Sequence, residues 1–262
     1  MKELTYGEVV ENKLVADEIY ELYIHSPKEV VRARPGQFLS IFTGNPSMIL
    51  PRPLSICEID KEEGTFRIIY RAGGEGTKEI ATYSKGDKLG VLGPLGISFR
   101  VDQKNKNYAI VGGGIGVPPL LELSKKIREE VPDSKIYVYL GFRGQPQVIL
   151  EEDFKKYVDE VTICTDDGTY GFHGNVIAAM KNLNKQLDIA YACGPHIMLK
   201  FLAKYCEEID IQCTVSVEEH MACCVGACLA CVIKQKTNDG DWAYRRVCMN
   251  GPVFNAKELV WE

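Results

Sequence analysis

The sequence predicts an antiparallel β-barrel, followed by a doubly wound parallel α/β sheet and a short cysteine-rich module. Three observations favour this organisation. Short alternating polar and apolar segments fill the first part of the chain, buried strands and helices alternate in the second part, and five of the ten cysteines lie in the last forty residues. We therefore expect three domains, which comprise residues 1–101, 102–217 and 218–262.

The first domain has the pattern of short strands joined by turns. Alternation predicts strands over 6–10, 18–24, 37–42, 65–70 and 88–92. Pro-Gly, Gly-Asn-Pro and Gly-Asp sequences separate these segments, and one helix is predicted near 76–83. Short strands with turn residues between them indicate a small barrel or sandwich.

The second domain begins after a polar stretch at 102–106. Apolar runs predict strands over 108–111, 136–140, 161–164, 189–193 and 211–217, the last of the sheet, and helices over 118–130, 176–182 and 197–206. This alternation is typical of a parallel sheet with helices on both faces. The remaining residues hold the cysteines and a hairpin-like sequence at 238–241. So short a segment is expected to pack against the sheet rather than to form its own core.

Composition argues against several classes of function. The formal net charge is −5 and the basic residues are scattered, which gives no support to nucleic-acid binding. The chain has no run of about eighteen apolar residues, and its first residues lack the apolar core of a signal peptide. We therefore expect no membrane span and a cytoplasmic location, where the ten cysteines would be thiols and metal ligands rather than disulfides.

The cysteine run carries the most specific pattern in the chain. Its spacing is C-x4-C-x2-C, then sixteen residues, then a lone fourth cysteine, as in a plant-type two-iron, two-sulfur (2Fe–2S) cluster. Zinc is an alternative, although structural zinc sites usually use paired C-x2-C knuckles. A thioredoxin-like redox pair or ordinary buried thiols are further alternatives. Cys224 could replace the first ligand, at a spacing one residue short of the pattern. The predicted cluster ligands are Cys223, Cys228, Cys231 and Cys248.

Three segments of the first domain carry residues that suit a flavin dinucleotide; the first of them lies between two predicted strands. A flavin dinucleotide needs cations for its pyrophosphate, a flat wall for its ring and a hydroxyl near its reactive nitrogen. Two arginines, a tyrosine, a serine and a glycine that opens a helix could supply these groups. The alternative is a surface arginine beside a glycine-rich turn. The candidate residues for these roles are Arg52, Ser55, Tyr70, Arg71, Gly76 and Thr77.

Two turns at the expected carboxyl edge of the parallel sheet could bind NAD. Glycine lets the backbone approach a phosphate closely, although the first turn is neither a G-x-G-x-x-G fingerprint nor a Walker loop. A tight strand–helix turn is the alternative. Ser55 and Cys193 are the candidate catalytic residues, because they would lie near the flavin and the nicotinamide. The candidate NAD residues in these turns are Gly112, Gly113, Gly114, Gly116, Gly194 and Pro195.

An acidic pair is expected at the same edge of the sheet. Asp166 and Asp167 follow the strand predicted over 161–164. Carboxylates at this position would accept hydrogen bonds from ribose hydroxyls and would repel a 2′-phosphate, so the pair favours NAD over NADP. A turn or helix-capping role is the alternative, at least for one of the two.

The order of these motifs resembles that of a known family. Arg-Pro-Leu-Ser, Gly-Thr, Gly-Gly-Gly-Ile-Gly-Val-Pro-Pro, Thr-Asp-Asp-Gly, Cys-Gly-Pro and the four cysteines follow one another as in the ferredoxin–NADP reductase superfamily. Over essentially the whole chain, the sequence looks like the electron-transfer subunits of NAD-dependent (class 1B) dihydroorotate dehydrogenase. The resemblance implies an FAD-binding barrel, an NAD-binding sheet and a cluster held by the four cysteines. It also adds Pro53, Leu54 and Ile69 to the candidate FAD residues, because the family binds FAD through the segments that match Arg52–Ser55 and Ile69–Arg71. One departure is Cys224, where that family usually has glycine.

The resemblance also implies a function in pyrimidine biosynthesis. An FMN-containing catalytic subunit would oxidise dihydroorotate, and the electrons would cross this chain's cluster and FAD to NAD⁺, in a heterotetramer of two plus two subunits. Val225 and Leu229 make the cysteine loop apolar, so this loop could dock on that partner or could merely keep water from the sulfurs. One alternative is a reductase subunit of another anaerobic complex, such as a ferredoxin–NAD(P) transhydrogenase, sulfide dehydrogenase or hydrogenase. Another is a zinc-bearing binding module without catalysis.

Overall fold

The N-terminal part of the chain forms a seven-stranded antiparallel sheet in the computed structural model, which describes residues 3–261. Residues 1, 2 and 262, at the ends of the first and last predicted domains, lie outside the described part. The strands are β1 (Thr5–Ala16), β2 (Ile19–His25), β3 (Phe38–Phe42), β4 (Arg52–Ser55), β5 (Glu58–Asp60), β6 (Thr65–Arg71) and β7 (Lys88–Leu95), with helices α1 (Pro27–Val30) and α2 (Glu75–Ala81) between them. Their order is β4-β3-β7-β1-β2-β6-β5. Since the edge strands β4 and β5 are not hydrogen-bonded to each other within the described residues, the predicted barrel is open.

The sheet differs from the prediction in two of its strands. The prediction that Arg52–Ser55 merely lies between strands is wrong, because this segment is itself strand β4 and pairs with β3, with Leu54 opposite Leu39. Strand β5 was not predicted, and its three residues are too few to show an alternating pattern. Both strands lie at an edge of the sheet, where fewer neighbours constrain the sequence.

Alternate side chains of β6 point to opposite faces of the first sheet and so contact different layers. Phe66, Ile68 and Tyr70 point into the core of the first sheet. Ile69, on the opposite face, packs in the core of the second sheet. The same face presents Arg67 to helix α4 (Glu151–Lys155), so β6 belongs to both layers.

The second sheet is parallel except at one edge. Its strands are β8 (Asn107–Gly113), β9 (Lys135–Phe142), β10 (Glu160–Thr165), β11 (Phe172–His173), β12 (Ile189–Cys193), β13 (Gln212–Ser216) and β16 (Val253–Asn255), in the order β11-β10-β9-β8-β12-β13-β16. Besides α4, helices α3 (Pro119–Glu130), α5 (Val176–Leu183) and α6 (His196–Glu208) connect them. Apart from α4, each of these helices was predicted. None of the helices in residues 3–261 is both long and apolar enough to cross a membrane.

The cysteine module is built onto the second sheet. It contains the hairpin β14 (Val232–Lys236) and β15 (Trp242–Arg246), helix α7 (Val247–Asn250) and strand β16. Strand β16 pairs antiparallel with β13, so the prediction that the strand at 211–217 ends the sheet is wrong. Cys224, Cys231 and Cys248 share one hydrophobic core with the second sheet. The prediction that the module packs against this sheet is therefore confirmed.

Buried charges join the two sheets. The Arg67 side chain on β6 is 13 % exposed and pairs with Glu58 at 2.6 Å and with Asp153 of α4 at 3.1 Å. On α3, the Glu122 carboxylate accepts the Ile59 N–H of β5 at 3.0 Å. These contacts fix the relative position of the two layers, and hence the shape of the cleft between them.

Candidate functional site

A cavity of about 260 Å³ lies between the two sheets and brings the predicted segments together. Strands β4 and β6 form one side of it. The turn after β8, the end of β13 and the residues that lead into the cysteine run form the other side. The lining residues are Phe38, Pro53, Leu54, Ser55, Ile69, Tyr70, Arg71, Ile115, Ser216, Val217, Glu218, Glu219, Met221 and Pro252. Six candidate FAD residues therefore face the segment that precedes Cys223.

The wall that β6 supplies to this cavity is held rigidly. Tyr70 is 2 % exposed, its ring stacks on Tyr20 with the centroids 5.8 Å apart, and its hydroxyl donates to Asn12 Oδ1 at 3.2 Å. Burial raises the pKa of Tyr70, so the phenol stays neutral. On the β4 side, Ser55 offers a half-buried hydroxyl. An aromatic and apolar wall with one polar group matches the needs of a flavin ring.

The remaining candidate FAD residues meet at the start of α2. The Arg52 guanidinium lies directly on Gly76, where a Cβ atom would come within 1.8 Å of Arg52 Nε, so a side chain at position 76 would displace the arginine. The stem of Arg71 passes 3.7 Å from the position of a Cβ atom on Gly73. Two cations thus flank a glycine-rich turn that opens a helix, an arrangement that suits a pyrophosphate.

Thr77 has a structural task in this turn. Its hydroxyl accepts the Gly74 N–H at 3.1 Å and donates to the Gly74 carbonyl at 2.9 Å. The side chain therefore closes the first turn of α2 and presents the turn to a ligand. A contact between Thr77 and FAD stays a prediction.

The two candidate NAD turns pack so closely that their backbones are in contact. Gly112 of β8 pairs with Cys193 of β12. A Cβ atom on Gly116 would come within 2.6 Å of the Gly194 backbone, and one on Gly113 within 2.8 Å of Pro195 Cδ. Gly114 differs, because it has a φ of +53° and no heavy atom within 4 Å of its Cβ position. Most of these glycines are thus required for packing between the turns, and Gly114 is the one that leaves open space for a ligand.

The two acids at the edge of the sheet have different environments. Asp167 Oδ1 accepts the Thr169 hydroxyl at 2.7 Å and the Thr169 N–H at 2.9 Å, and these bonds lower the pKa of Asp167. Asp167 therefore stabilises its own turn, as the structural alternative predicted for one of the pair. Asp166 is exposed at the end of β10 and stays the candidate for a ribose contact.

Cys193 lies behind the cavity rather than in its lining. Its thiol is 1 % exposed and hydrogen-bonded to the Ser216 hydroxyl. Burial raises the pKa of Cys193, and the nearby Glu218 carboxylate raises it further, so the thiol stays protonated. A catalytic role for Cys193 stays a prediction. Glu218 itself lines the cavity with an exposed side chain.

The four predicted cluster ligands form two pairs. The Cys223 sulfur contacts the Cys228 thiol and accepts the N–H groups of Ala227 at 3.2 Å and of Cys228 at 3.4 Å. The thiols of Cys231 and Cys248 contact each other, and the Cys248 N–H donates to the Cys231 sulfur at 3.5 Å. Nowhere in residues 3–261 do three or more His, Cys, Asp or Glu side chains converge on one ion position. Two thiol pairs fit a two-iron cluster, whose irons each take two protein ligands, better than one tetrahedral zinc.

The electrostatics of the pairs differ. Burial opposes the ionisation of Cys223, but the backbone N–H groups that its sulfur accepts outweigh burial and lower its pKa to about 6. Burial and the contact with Cys231 raise the pKa of Cys248 to about 12. Because thiolates bind metals, Cys223 is prepared for ligation at neutral pH, whereas Cys248 must release a proton when it binds.

Cys224 is buried in the hydrophobic core of the second sheet. It is 1 % exposed, and its thiol lies beside the Ser40 hydroxyl of β3. Its φ of +59° is a conformation that glycine adopts more easily, which agrees with a glycine at this position in the resembling family. The geometry thus supports Cys223, rather than Cys224, as the ligand.

Several lining residues were not singled out from the sequence. The segment 216–221 follows strand β13 directly, and the carboxyl ends of parallel strands lie at the ligand-binding edge. That rule could have indicated Ser216, Val217 and Glu218. Ile115 lies within the predicted nucleotide turn, between two of its glycines. No sequence signal marks Phe38 or Pro252, which reach the cavity only through the packing of the two sheets.

Comparisons with known proteins agree with this geometry. Residues 218–260 match the sequence model of the iron–sulfur cluster binding domain of dihydroorotate dehydrogenase B. The electron transfer subunit of dihydroorotate dehydrogenase B (NAD(+)) from Bacillus cereus (strain G9842) is 39 % identical over 256 residues, which cover 96 % of each chain. The subunit of the same name from Clostridium perfringens (strain 13 / Type A) is 37 % identical, over 97 % of this chain and 96 % of its own.

Solved structures show the same fold. A chain of the NADH-dependent reduced ferredoxin-NADP oxidoreductase, described in connection with flavin-based electron bifurcation, superposes with a TM-score of 0.87 and 31 % identity, over 100 % of this chain and 92 % of that one. The cytochrome b5 reductase domain of Ulva prolifera nitrate reductase superposes with a TM-score of 0.62 and 15 % identity, over 76 % of this chain and 90 % of that one. The second likeness concerns the fold alone.

Proposed function

Because the chain belongs to the family of electron-transfer subunits of NAD-dependent dihydroorotate dehydrogenase B, we propose that its cavity between the sheets is the FAD site of an electron relay. The protein is an oxidoreductase subunit that uses FAD, a 2Fe–2S cluster and NAD, and it serves pyrimidine biosynthesis. One observation carries the proposal: strands β4 and β6, the turn with Ile115 and the segment before Cys223 all line one cavity. A group bound there lies between the nucleotide turns and the cysteines.

The chain's own residues would bind and orient the flavin. Arg52 and Arg71 would neutralise the pyrophosphate at the start of α2. Ser55 would donate a hydrogen bond to the ring, and the buried Tyr70 and Ile69 would exclude water from it. When bound, the flavin supplies the exchange between one-electron and two-electron chemistry that links a cluster to a nicotinamide.

The nucleotide side is assigned to the turns that begin at Gly112 and Cys193. Their packing leaves Gly114 open for a phosphate, while Ile115 extends from the same turn into the cavity. Asp166 would accept a ribose hydroxyl, and its charge would disfavour the 2′-phosphate of NADP. Asp167 would support the turn, through Thr169.

The cluster is assigned to the pairs Cys223/Cys228 and Cys231/Cys248, and an FMN-containing catalytic subunit would deliver electrons to it. Around the exposed Cys228, the apolar side chains of Val225 and Leu229 are 45 % and 61 % exposed. An apolar surface at an electron entry point suits docking on a partner, and we place the FMN subunit there, in a heterotetramer of two plus two subunits. All ten cysteines are free thiols, which supports work in the reducing cytoplasm.

The test uses the isolated chain as it is purified from the cell. It should oxidise NADH with an artificial electron acceptor and should leave dihydroorotate untouched, because the proposal assigns that oxidation to the partner. Flavin and cluster should together make the protein brown, whereas a zinc module would be colourless. Dihydroorotate oxidation by the isolated chain, or a colourless protein, would contradict the proposal.

A second candidate is a reductase subunit of another complex, such as a ferredoxin–NAD(P) transhydrogenase. The likeness to the NADH-dependent reduced ferredoxin-NADP oxidoreductase chain, over 100 % of this chain, favours it. Identification of the co-purified partner separates the two candidates. A dihydroorotate-oxidising FMN protein supports the first, and a ferredoxin- or NADPH-oxidising protein supports the second.

A further inference from the structure

Three arginines line a second cavity, of about 360 Å³, beside the linker that joins the two sheets. Arg32 and Arg34 come from the segment between α1 and β3, and Arg100 comes from the linker between β7 and β8. Among the described residues, none that lines this cavity also lines the cavity assigned to the flavin. We name it the arginine cavity, after Arg32, Arg34 and Arg100.

The arginine cavity is short of negative charge. Arg34 and Arg100 form no ion pair with a carboxylate within residues 3–261, and Arg32 is 4.0 Å from Glu29, at the outer limit of such a pair. Glu29 is itself 3 % exposed and is hydrogen-bonded to the Ser26 hydroxyl at 2.6 Å. The whole chain has a net charge of −5, so this concentration of cations does not follow from its composition.

The backbone that carries these arginines is held in place. The Gln37 side chain accepts the Arg34 N–H at 3.0 Å and donates to the Gly96 carbonyl at 2.8 Å. It therefore links the segment before β3 to the segment after β7, and both segments line the cavity. The Tyr191 hydroxyl donates to the Arg100 carbonyl at 2.7 Å. This backbone places three exposed arginine side chains around one cavity, so that their positive charges act together on an anion bound there.

The cavity is large enough for a small organic anion. Its 360 Å³ lies in the range of small-molecule sites, which is about 300–1,000 Å³. Arg32, Arg34, Ser98 and Arg100 also line a larger cleft of about 1,150 Å³ that extends along α3. The acids of that cleft, namely Asp60, Glu62, Glu122, Glu129 and Glu130, do not line the arginine cavity.

We propose that the arginine cavity binds the diphosphate or triphosphate group of a phosphorylated small molecule, at a site separate from those for FAD and NAD. Guanidinium groups match phosphate oxygens with paired hydrogen bonds, and three of them suit a polyphosphate better than a single carboxylate. The organic part of the ligand would extend into the larger cleft. The ligand would then contact the first sheet and the linker to the second at the same time.

Binding of inorganic pyrophosphate and of ATP tests the proposal. Isothermal titration would use the protein loaded with FAD and cluster, with NAD⁺ at saturation, so that the other pyrophosphate sites are filled. The wild type should bind one equivalent of probe, more weakly as salt rises. Arg34→Gln and Arg100→Gln should each weaken binding about tenfold or more, the cost of a lost charge-assisted hydrogen bond. Lys104→Gln, which removes an exposed cation from the same linker, should leave binding unchanged.

The two probes distinguish the sources of the phosphate group. Tighter binding of ATP would assign the cleft to a nucleotide, and equal binding would assign the site to the polyphosphate alone. The flavin and cluster spectra check that each variant is folded. Absence of saturable binding in the wild type, or equal binding by the two arginine variants, would overturn the proposal. So would loss of association with the catalytic subunit in those variants when no probe binds the wild type, because the arginines would then face an acidic partner surface.

Discussion

Glu122 joins the two sheets through a buried carboxyl, which we expect to make stability depend on pH. The residue is 8 % exposed and accepts the Ile59 N–H at 3.0 Å. Burial raises its pKa from 4.5 to about 7, and the opposing influences of Lys125 and of the Ile59 N–H do not cancel that effect. Between these two pH values the folded protein keeps a proton that the unfolded chain releases. The free energy of unfolding should therefore fall as pH rises from 4.5 to about 7, and this contribution should then level off.

The size of the effect follows from the two pKa values. Their difference corresponds to about 3 kcal/mol of lost stability above pH 7. Glu122→Gln keeps an oxygen that can accept the Ile59 N–H but has no carboxylate to ionise. The stability of this variant relative to wild type should therefore increase with pH, by up to about 3 kcal/mol across the window. For a chain of this length, that corresponds to a relative shift in melting temperature of about 6 to 12 °C.

Thermal unfolding of the loaded protein, followed by FAD fluorescence from pH 5 to pH 8, measures this difference. Glu129→Gln is the matched control, because Glu129 lies on the same helix with 52 % of its side chain exposed. The difference in melting temperature between this control and the wild type should stay nearly constant with pH. A Glu122→Gln difference in melting temperature that is equally constant, or that decreases as pH rises, would show that folding does not raise the pKa of Glu122.

Three further substitutions test the site. Gly76→Ala should weaken FAD binding about tenfold or more, since its Cβ would lie 1.8 Å from Arg52 Nε, whereas Gly74→Ala, with no heavy atom closer than 4.0 Å, should not. Flavin fluorescence titration compares the two, and equal affinities would count against a phosphate role for Arg52. Cys223→Ser should abolish the visible absorption of the cluster while Cys224→Ser retains it, because the Cys224 thiol faces Ser40; the reverse result would assign the ligand to Cys224. Leu229→Lys should weaken association with the catalytic subunit in sedimentation experiments and leave the cluster spectrum intact, and unchanged association would argue against docking at this loop.

The sequence was most informative where a pattern repeats or a spacing is fixed. The strands β8, β9, β10 and β12 were predictable because buried parallel strands are continuous apolar runs. Strand β16, which completes the sheet, has three residues and is antiparallel, so neither its length nor its pattern distinguishes it from a loop. Strand β4 contains a proline, which weakens a strand prediction, although an edge strand tolerates it.

In the candidate site, too, some features were predictable from the sequence and others were not. The motifs identified the residue types that a flavin and a nucleotide require, but not which residue contacts a ligand and which stabilises a turn. Thr77 and Asp167 are held by hydrogen bonds in their own turns, and Gly113 and Gly116 serve the packing of two turns. The bonds of Thr77 and Asp167 are local, but the same residue types would also suit a ligand-binding turn. The packing of the two glycine turns depends on distances between segments far apart in sequence. For the same reason, Phe38 and Pro252 could be assigned to the cavity only from the packed structure.

In the proposed relay, this chain connects dihydroorotate oxidation on a partner to NAD⁺. The most direct measurement is dihydroorotate-dependent formation of NADH by a complex assembled from the separately purified subunits. NADH should appear only when both subunits are present, and a chain with Cys223→Ser should not support its formation. NADH formation by the catalytic subunit alone, or undiminished formation with the Cys223→Ser chain, would contradict the proposed relay.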